Sequence, residues 1–158
     1  MNVDNDAKLV AAFPELYWQR GMDMMQTAMC WGFDCGDGWF DLIWKLSEKI
    51  SPFVKKFNEQ QQIEFDELLT EEKESNEPAV FGVVQVKEKF GGLRYYTNYY
   101  TEEIQDIIDE CEDRSYTICE DCGSPGEIRN TSWIQTLCDE HYKKYVDRTQ
   151  KGTVGEKS

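Results

Sequence analysis

Cys119-Glu120-Asp121-Cys122-Gly123, answered further along by Cys138-Asp139-Glu140-His141, is the stretch around which this chain can be read. Fifteen residues separate Cys122 from Cys138. Two Cys-x-x-Cys/His pairs at that separation match the ligand spacing of a tetrahedral zinc site. His141 is the only histidine in the chain, and it stands where a fourth ligand is needed. Chance spacing with buried thiols would not put it there. Ser124-Pro125-Gly126 turns the chain after the first pair. Glu127–Arg129 and Trp133–Leu137 then predict a short hairpin around Asn130-Thr131-Ser132, and Tyr142–Arg148 predicts a helix. Knuckle, hairpin and two ligands at a helix entrance describe a treble-clef or zinc-ribbon-like finger. Four protein ligands close the coordination shell, so Zn²⁺ is expected in a structural role, with no open position for water or substrate.

Working back from the finger, Val80–Phe90 and Leu93–Tyr100 are rich in β-branched and aromatic residues and flank Gly91-Gly92. Two strands with a Gly-Gly loop are predicted. That register puts Lys89 opposite Arg94 and Lys87 opposite Tyr96. Val84, Val86, Phe90, Leu93, Tyr95 and Tyr99 then share a core face, while Lys87, Lys89, Arg94 and Tyr96 share the other. Like charges opposed on a hairpin repel. Either the protein's own acids and solvent screen them, or they form an anion site in which Tyr96 adds a hydroxyl or a stacking face.

Upstream of the hairpin the periodicity is helical. Leu9, Val10 and Phe13 predict a helix over 5–13, ended or restarted at Pro14. The segment 15–30 predicts a second helix whose methionines fill core space. Gly32-Phe33-Asp34-Cys35-Gly36-Asp37-Gly38-Trp39 predicts a shaped loop opening a helix over about 38–50. It reads either as a turn capped by Asp37 or as a ligand loop, because glycines admit close backbone approach. Ser51-Pro52 predicts a fresh helix start, and Glu71–Pro78 a solvated acidic loop. After the hairpin, Thr101 caps a helix whose apolar face is Ile104, Ile107, Ile108 and Cys111. The fold class is therefore α+β: helices on a small antiparallel sheet over 1–116, a docked zinc finger over 117–150, and a flexible tail over 151–158.

The chain carries 31 acids against 17 bases, a net charge of −14. A field of that sign opposes duplex nucleic acid and anionic membrane. The finger's Lys143, Lys144 and Arg148 are offset by neighbouring acids, so its helix is no basic recognition surface. No signal peptide or membrane-length apolar run is seen, and six cysteines with three in the metal pattern leave an odd number for disulfides. A reducing cytoplasm is the expected location. With its only histidine on the metal, the chain offers no Ser-His-Asp arrangement. It has neither a Walker loop nor a Rossmann fingerprint.

Three phrases together, Gly32–Trp39, Gln85-Val-Lys-Glu-Lys-Phe-Gly-Gly-Leu-Arg-Tyr-Tyr96, and the Cys119–His141 finger with Trp133-Ile-Gln-Thr-Leu137, resemble a group of small proteins of tailed bacteriophages and prophages. The resemblance covers about residues 10–145. It implies a host-cell cytoplasmic setting and a role in host takeover or in blocking antiviral defence. The leading expectation is a non-enzymatic protein that binds a host factor or sequesters an anionic, nucleotide-like ligand. Its surface would combine Lys87, Lys89, Arg94 and Tyr96 with Asp37 and Trp39. Two alternatives stand beside it: an acidic decoy for a nucleic-acid-binding host protein, and a nucleotide-acting enzyme using Asp34 or Asp37.

Overall fold

The structure, a computed structural model, describes residues 1–70, 77–130 and 132–152. The bulk of the acidic loop predicted over 71–78, and most of the tail predicted over 151–158, lie outside the described residues. The elements run α1 (Val3–Ala12), β1 (Phe33–Asp34), α2 (Phe40–Thr70), β2 (Val83–Lys89), β3 (Gly92–Thr97), α3 (Glu102–Ser115), β4 (Glu127–Arg129), β5 (Gln135–Leu137) and α4 (Asp139–Gly152). Helices and two small sheets make a mixed fold, with the Cys/His cluster near its C-terminal end.

Three expectations need correction. The segment 15–30 is not a helix. It is a coil with short 3₁₀ turns at Trp18–Gly21 and Met29–Trp31. The Asp23 carboxylate accepts from the Met25 N–H at 2.8 Å, a local bond that competes with helix formation. Arg20 holds the coil together, pairing with Asp6 at 3.1 Å and donating to the Cys30 carbonyl at 2.6 Å. Met29 is buried, whereas Met24 and Met25 are exposed and fill no core.

The second correction concerns Pro52. No new helix starts there: α2 runs unbroken for 31 residues, about 46 Å at 1.5 Å per residue. Leu46, Ile50 and Val54 are all buried, so one apolar stripe continues straight through the proline. Pro52 itself is exposed, as is Glu48, whose carbonyl loses its helical donor toward water. The Ser51 hydroxyl turns back to the Ser47 carbonyl at 2.7 Å instead of capping a new start.

Third, the sheet is not wholly antiparallel. Its order is β1-β2-β3, and β1 pairs in parallel with β2, Phe33 beside Val86 and Asp34 beside Lys87. The β2–β3 register pairs Lys89 with Gly92, Lys87 with Arg94 and Val86 with Tyr95. The turn is thus Phe90-Gly91, not Gly91-Gly92, and both residues adopt positive φ, 54° and 80°, as a type I′ turn requires. The slip is two residues, so side chains keep their faces. Val86, Leu93 and Tyr95 are buried as expected, but Phe90 and Tyr99 are exposed.

The inner face of the sheet meets α2 and α3 in a core of Leu16, Tyr17, Phe33, Trp39, Ile43, Leu46, Ile50, Val86, Leu93, Ile104 and Ile108, among others. Burying an aliphatic or aromatic side chain of this size contributes about 1.5–3 kcal/mol. Within it Tyr95 donates to the Tyr17 hydroxyl at 3.0 Å, and Tyr17 meets Ser47 at 2.6 Å, so the buried hydroxyls are paired. The helix predicted after Thr101 is present, with the threonine hydroxyl accepting from the Ile104 N–H. It lies alongside β3: Leu93 N–H donates to Ser115 Oγ at 2.8 Å and Tyr95 N–H to Glu112 Oε1 at 2.8 Å.

Candidate functional site

Cys119 and Cys122 lie on the knuckle that follows α3, Cys138 directly before α4, and His141 in the first turn of α4. Their ligand atoms all fall within 4.8 Å of one another. His141 Nδ1 is 3.6 Å from Cys119 Sγ and 3.2 Å from Cys138 Sγ, and Cys122 Sγ is 3.9 Å from Cys138 Sγ. A tetrahedral ion with thiolate bonds of about 2.3 Å and an imidazole bond of about 2.1 Å sets its donors about 3.6–3.8 Å apart. The four residues fit that arrangement and can hold a metal ion.

The knuckle is shaped for this. Gly123 takes φ 76° and its N–H donates to the Cys119 carbonyl at 2.8 Å, while Cys119 N–H donates to the Ser124 carbonyl at 2.7 Å. Burial pushes the Cys119 thiol up to about 11, against backbone N–H groups of Cys138, Cys122 and Asp121 directed at its sulfur. Hydrogen bonds from the Ser124 side chain and backbone hold the exposed Cys122 down at about 6. N–H donors aimed at sulfur suit thiolate ligands and orient them. Arg129 braces the outside: it pairs with Glu127 at 2.7 Å, donates to the Leu137 carbonyl at 3.2 Å and lies 4.7 Å over the Tyr142 ring.

The glycine loop turns out to face this knuckle. Gly38 N–H donates to the Glu120 carbonyl at 2.7 Å and Gly36 N–H to Glu120 Oε1 at 2.9 Å. A Cβ on Gly38 would stand 2.1 Å from the Cys119 carbonyl oxygen, and one on Gly36 2.3 Å from that of Glu120. The close approach that the glycines permit is to backbone, not to a ligand. Asp37 does not cap α2 either. It accepts from the Asn2 N–H at 2.8 Å and from Asn5 Nδ2 at 3.1 Å, tying α1 to the loop. Trp39 is fully buried and donates to the Ile118 carbonyl at 2.9 Å, which removes it from any ligand surface. Glu120 is buried, its Oε1 bonded to Gly36 and its Oε2 without a partner. Burial raises its pKa, with the Gly36 N–H opposing. Sequence reasoning missed this residue, since nothing local marks a knuckle glutamate as inward-facing.

The four residues of the cationic face divide. Arg94 is committed inward: it donates to the Tyr116 hydroxyl at 2.9 Å and the Leu93 carbonyl at 2.6 Å, and lies 3.7 Å from Glu112. Lys87 sits over the Tyr96 ring at 5.6 Å and Lys89 over the Phe90 ring at 5.4 Å. Neither lysine forms an ion pair among the described residues, although Asp34 is the strand neighbour of Lys87. Both line a cleft of about 400 Å³ with Glu88, Phe90, Ser132, Trp133 and Ile134.

That cleft is where the hairpin meets the metal module. Thr136 Oγ1 donates to the Gly91 carbonyl at 2.6 Å, and Trp133 Nε1 to Glu88 Oε2 at 3.0 Å. Phe90, Ser132 and Trp133 were not among the predicted site residues. A bulky aromatic beside a turn glycine, and a tryptophan beside the predicted loop Asn130–Ser132, were the available signals.

No helix among the described residues is long and apolar enough to cross a membrane. No protein-family model, curated protein or solved structure matches the chain.

Proposed function

We propose that this chain is a non-enzymatic binding protein in which a structural zinc ion builds one wall of a site for a small anionic ligand. Three thiolates and one imidazole form a soft donor set that suits Zn²⁺ better than oxygen-seeking cations. When bound, the zinc supplies cross-linking alone, because Cys119, Cys122, Cys138 and His141 complete its shell. Knuckle, hairpin β4–β5 and helix α4 then make a treble-clef or zinc-ribbon-like finger, and its hairpin carries Ser132, Trp133 and Ile134 to the cleft.

One observation carries the anion reading. Lys87 and Lys89, two unpaired cations in a chain of net charge −14, line a single cleft of about 400 Å³. Both lysines lie on one strand face without an ion pair among the described residues, and a bound phosphate or carboxylate supplies the charge that pairs with them. Arg94 is taken up by Tyr116, Trp39 by the Ile118 carbonyl and Asp37 by the N-terminal helix; none of the three lines the cleft. In the phage setting implied by the resemblance, the ligand is a signalling anion sequestered from the host, or the acidic tip of a host factor.

The test is purification from a host-cell extract, followed by mass spectrometry of the denatured chain. The expected result is one zinc per chain plus a released small anion, with the anion lost from the Lys87→Ala/Lys89→Ala double variant. A double variant that retained the anion would sink the proposal.

A further inference from the structure

We propose that the cleft takes a free nucleoside diphosphate, its base against Trp133 and Phe90 and its phosphates on Lys87 and Lys89. This inference rests on the anion-site reading above and adds the aromatic half of the ligand.

Phe90 is the first observation. It occupies the first position of a type I′ turn at φ 54°, a left-handed conformation that residues with a Cβ disfavour and that Asn or Gly fills more easily. Its ring gains no burial in return, being 65% exposed. The Lys89 ammonium lies over the ring, but a strained residue that gains so little burial points to a surface role. Trp133 is the second. Its ring is 64% exposed, yet its indole N–H is pinned to Glu88 Oε2 at 3.0 Å, so the ring is displayed in a fixed orientation. The two aromatics come from different hairpins and line the same cleft. Exposed aromatic faces that accept a planar base are a general device of nucleotide recognition.

The charges select the rest of the ligand. The Lys89 ammonium lies 5.4 Å over the Phe90 ring, so the anionic group and the stacking face adjoin. Two lysines match two phosphates. The one acid in the lining, Glu88, already accepts from the Gly91 N–H at 2.6 Å and from Trp133. The volume of about 400 Å³ falls within the roughly 300–1,000 Å³ of small-molecule sites. A polynucleotide would need a track of cations that a chain of charge −14 does not supply.

Calorimetric titration of the zinc-loaded chain with ADP, UDP and inorganic pyrophosphate separates the two levels of the argument. ADP and UDP are expected to bind at least tenfold more tightly than pyrophosphate, the size of one base–aromatic stack. Trp133→Ala and Phe90→Gly should each remove most of that advantage while leaving pyrophosphate affinity unchanged, and Trp133→Phe should keep it. Phe90→Gly relieves the left-handed strain, so its loss of affinity cannot be laid to misfolding. Equal affinity for ADP and pyrophosphate, with both aromatic variants silent, overturns the nucleotide and leaves the anion site. No binding of any of the three, or binding indifferent to Lys87→Ala/Lys89→Ala, overturns both.

Discussion

The loop at Gly36–Gly38 and the turn at Phe90–Gly91 both press on the metal module, yet they meet it in opposite ways. At Gly38 backbone meets backbone, and there is no room for one more carbon. At the turn, a Cβ on Gly91 would lie 3.3 Å from the nearest atom, a side-chain methyl of Ile134. Contact there passes through side chains, the Thr136 hydroxyl and the Trp133 indole. The loop is a closed joint and the turn an open one with a cleft beside it. Glycine clusters thus report that something comes close without saying whether it is solvent, ligand or the chain itself.

Removing the metal should break both joints and gives the largest expected effect. Binding energy at a structural site is folding energy, so chelation or Cys138→Ser should expose the amides of Gly36 and Gly38, both bonded to Glu120, to hydrogen exchange together. Protection persisting at Gly38 after chelation would mean that the knuckle stands without its ion. Gly38→Ala comes next. With fixed backbone at 2.1 and 2.5 Å from the new Cβ, overpacking should cost about 3 kcal/mol in denaturant unfolding and weaken metal retention. Phe90→Gly moves the other way, stabilising by about 1 kcal/mol through relief of its positive φ. A loss of stability there would show that the ring packs more than its exposure suggests.

The smallest effect is a pH dependence at the closed joint. The backbone N–H of Asn2, with Asn5 adding to it, holds the Asp37 carboxyl below its ordinary value of 3.8. A depressed carboxylate pKa stabilises the fold above that value and the contribution fades as pH falls below it. Because Asp37 is exposed, solvent screening limits the contribution to a few tenths of a kcal/mol. Asp37→Asn should flatten the acid limb of the melting curve by that amount and no more.

What could be read from sequence was what neighbours in the chain decide. The four metal ligands come from two short motifs, the Thr101-capped helix from its own period, and the inward Val86, Leu93 and Tyr95 from alternation. Alternation fails at the register shift beside Val84, where Val83 is buried instead, and at exposed Phe90 and Tyr99. The turn was misplaced because Phe90 adopts a conformation that Gly92 would accept more readily, so local propensity pointed one residue too far and the pairing slipped by two. Pro52 was overruled by a buried stripe on both sides of it. Trp39, Glu120 and the loop glycines were opaque for another reason: their partners lie some 80 positions away, and no local pattern encodes which backbone will arrive.

The hydrogen bonds from β3 to α3 have a consequence for how anything else can attach. The outward donors at Leu93 and Tyr95 already bond Ser115 and Glu112, and the Leu93 carbonyl takes Arg94 Nη1. An incoming extended peptide, or a second copy offering its own edge, would have to displace these three bonds before it could pair along Leu93–Tyr95. The start of that edge is thereby blunted by the chain's own side chains, which disfavours strand addition and leaves recognition there to side chains.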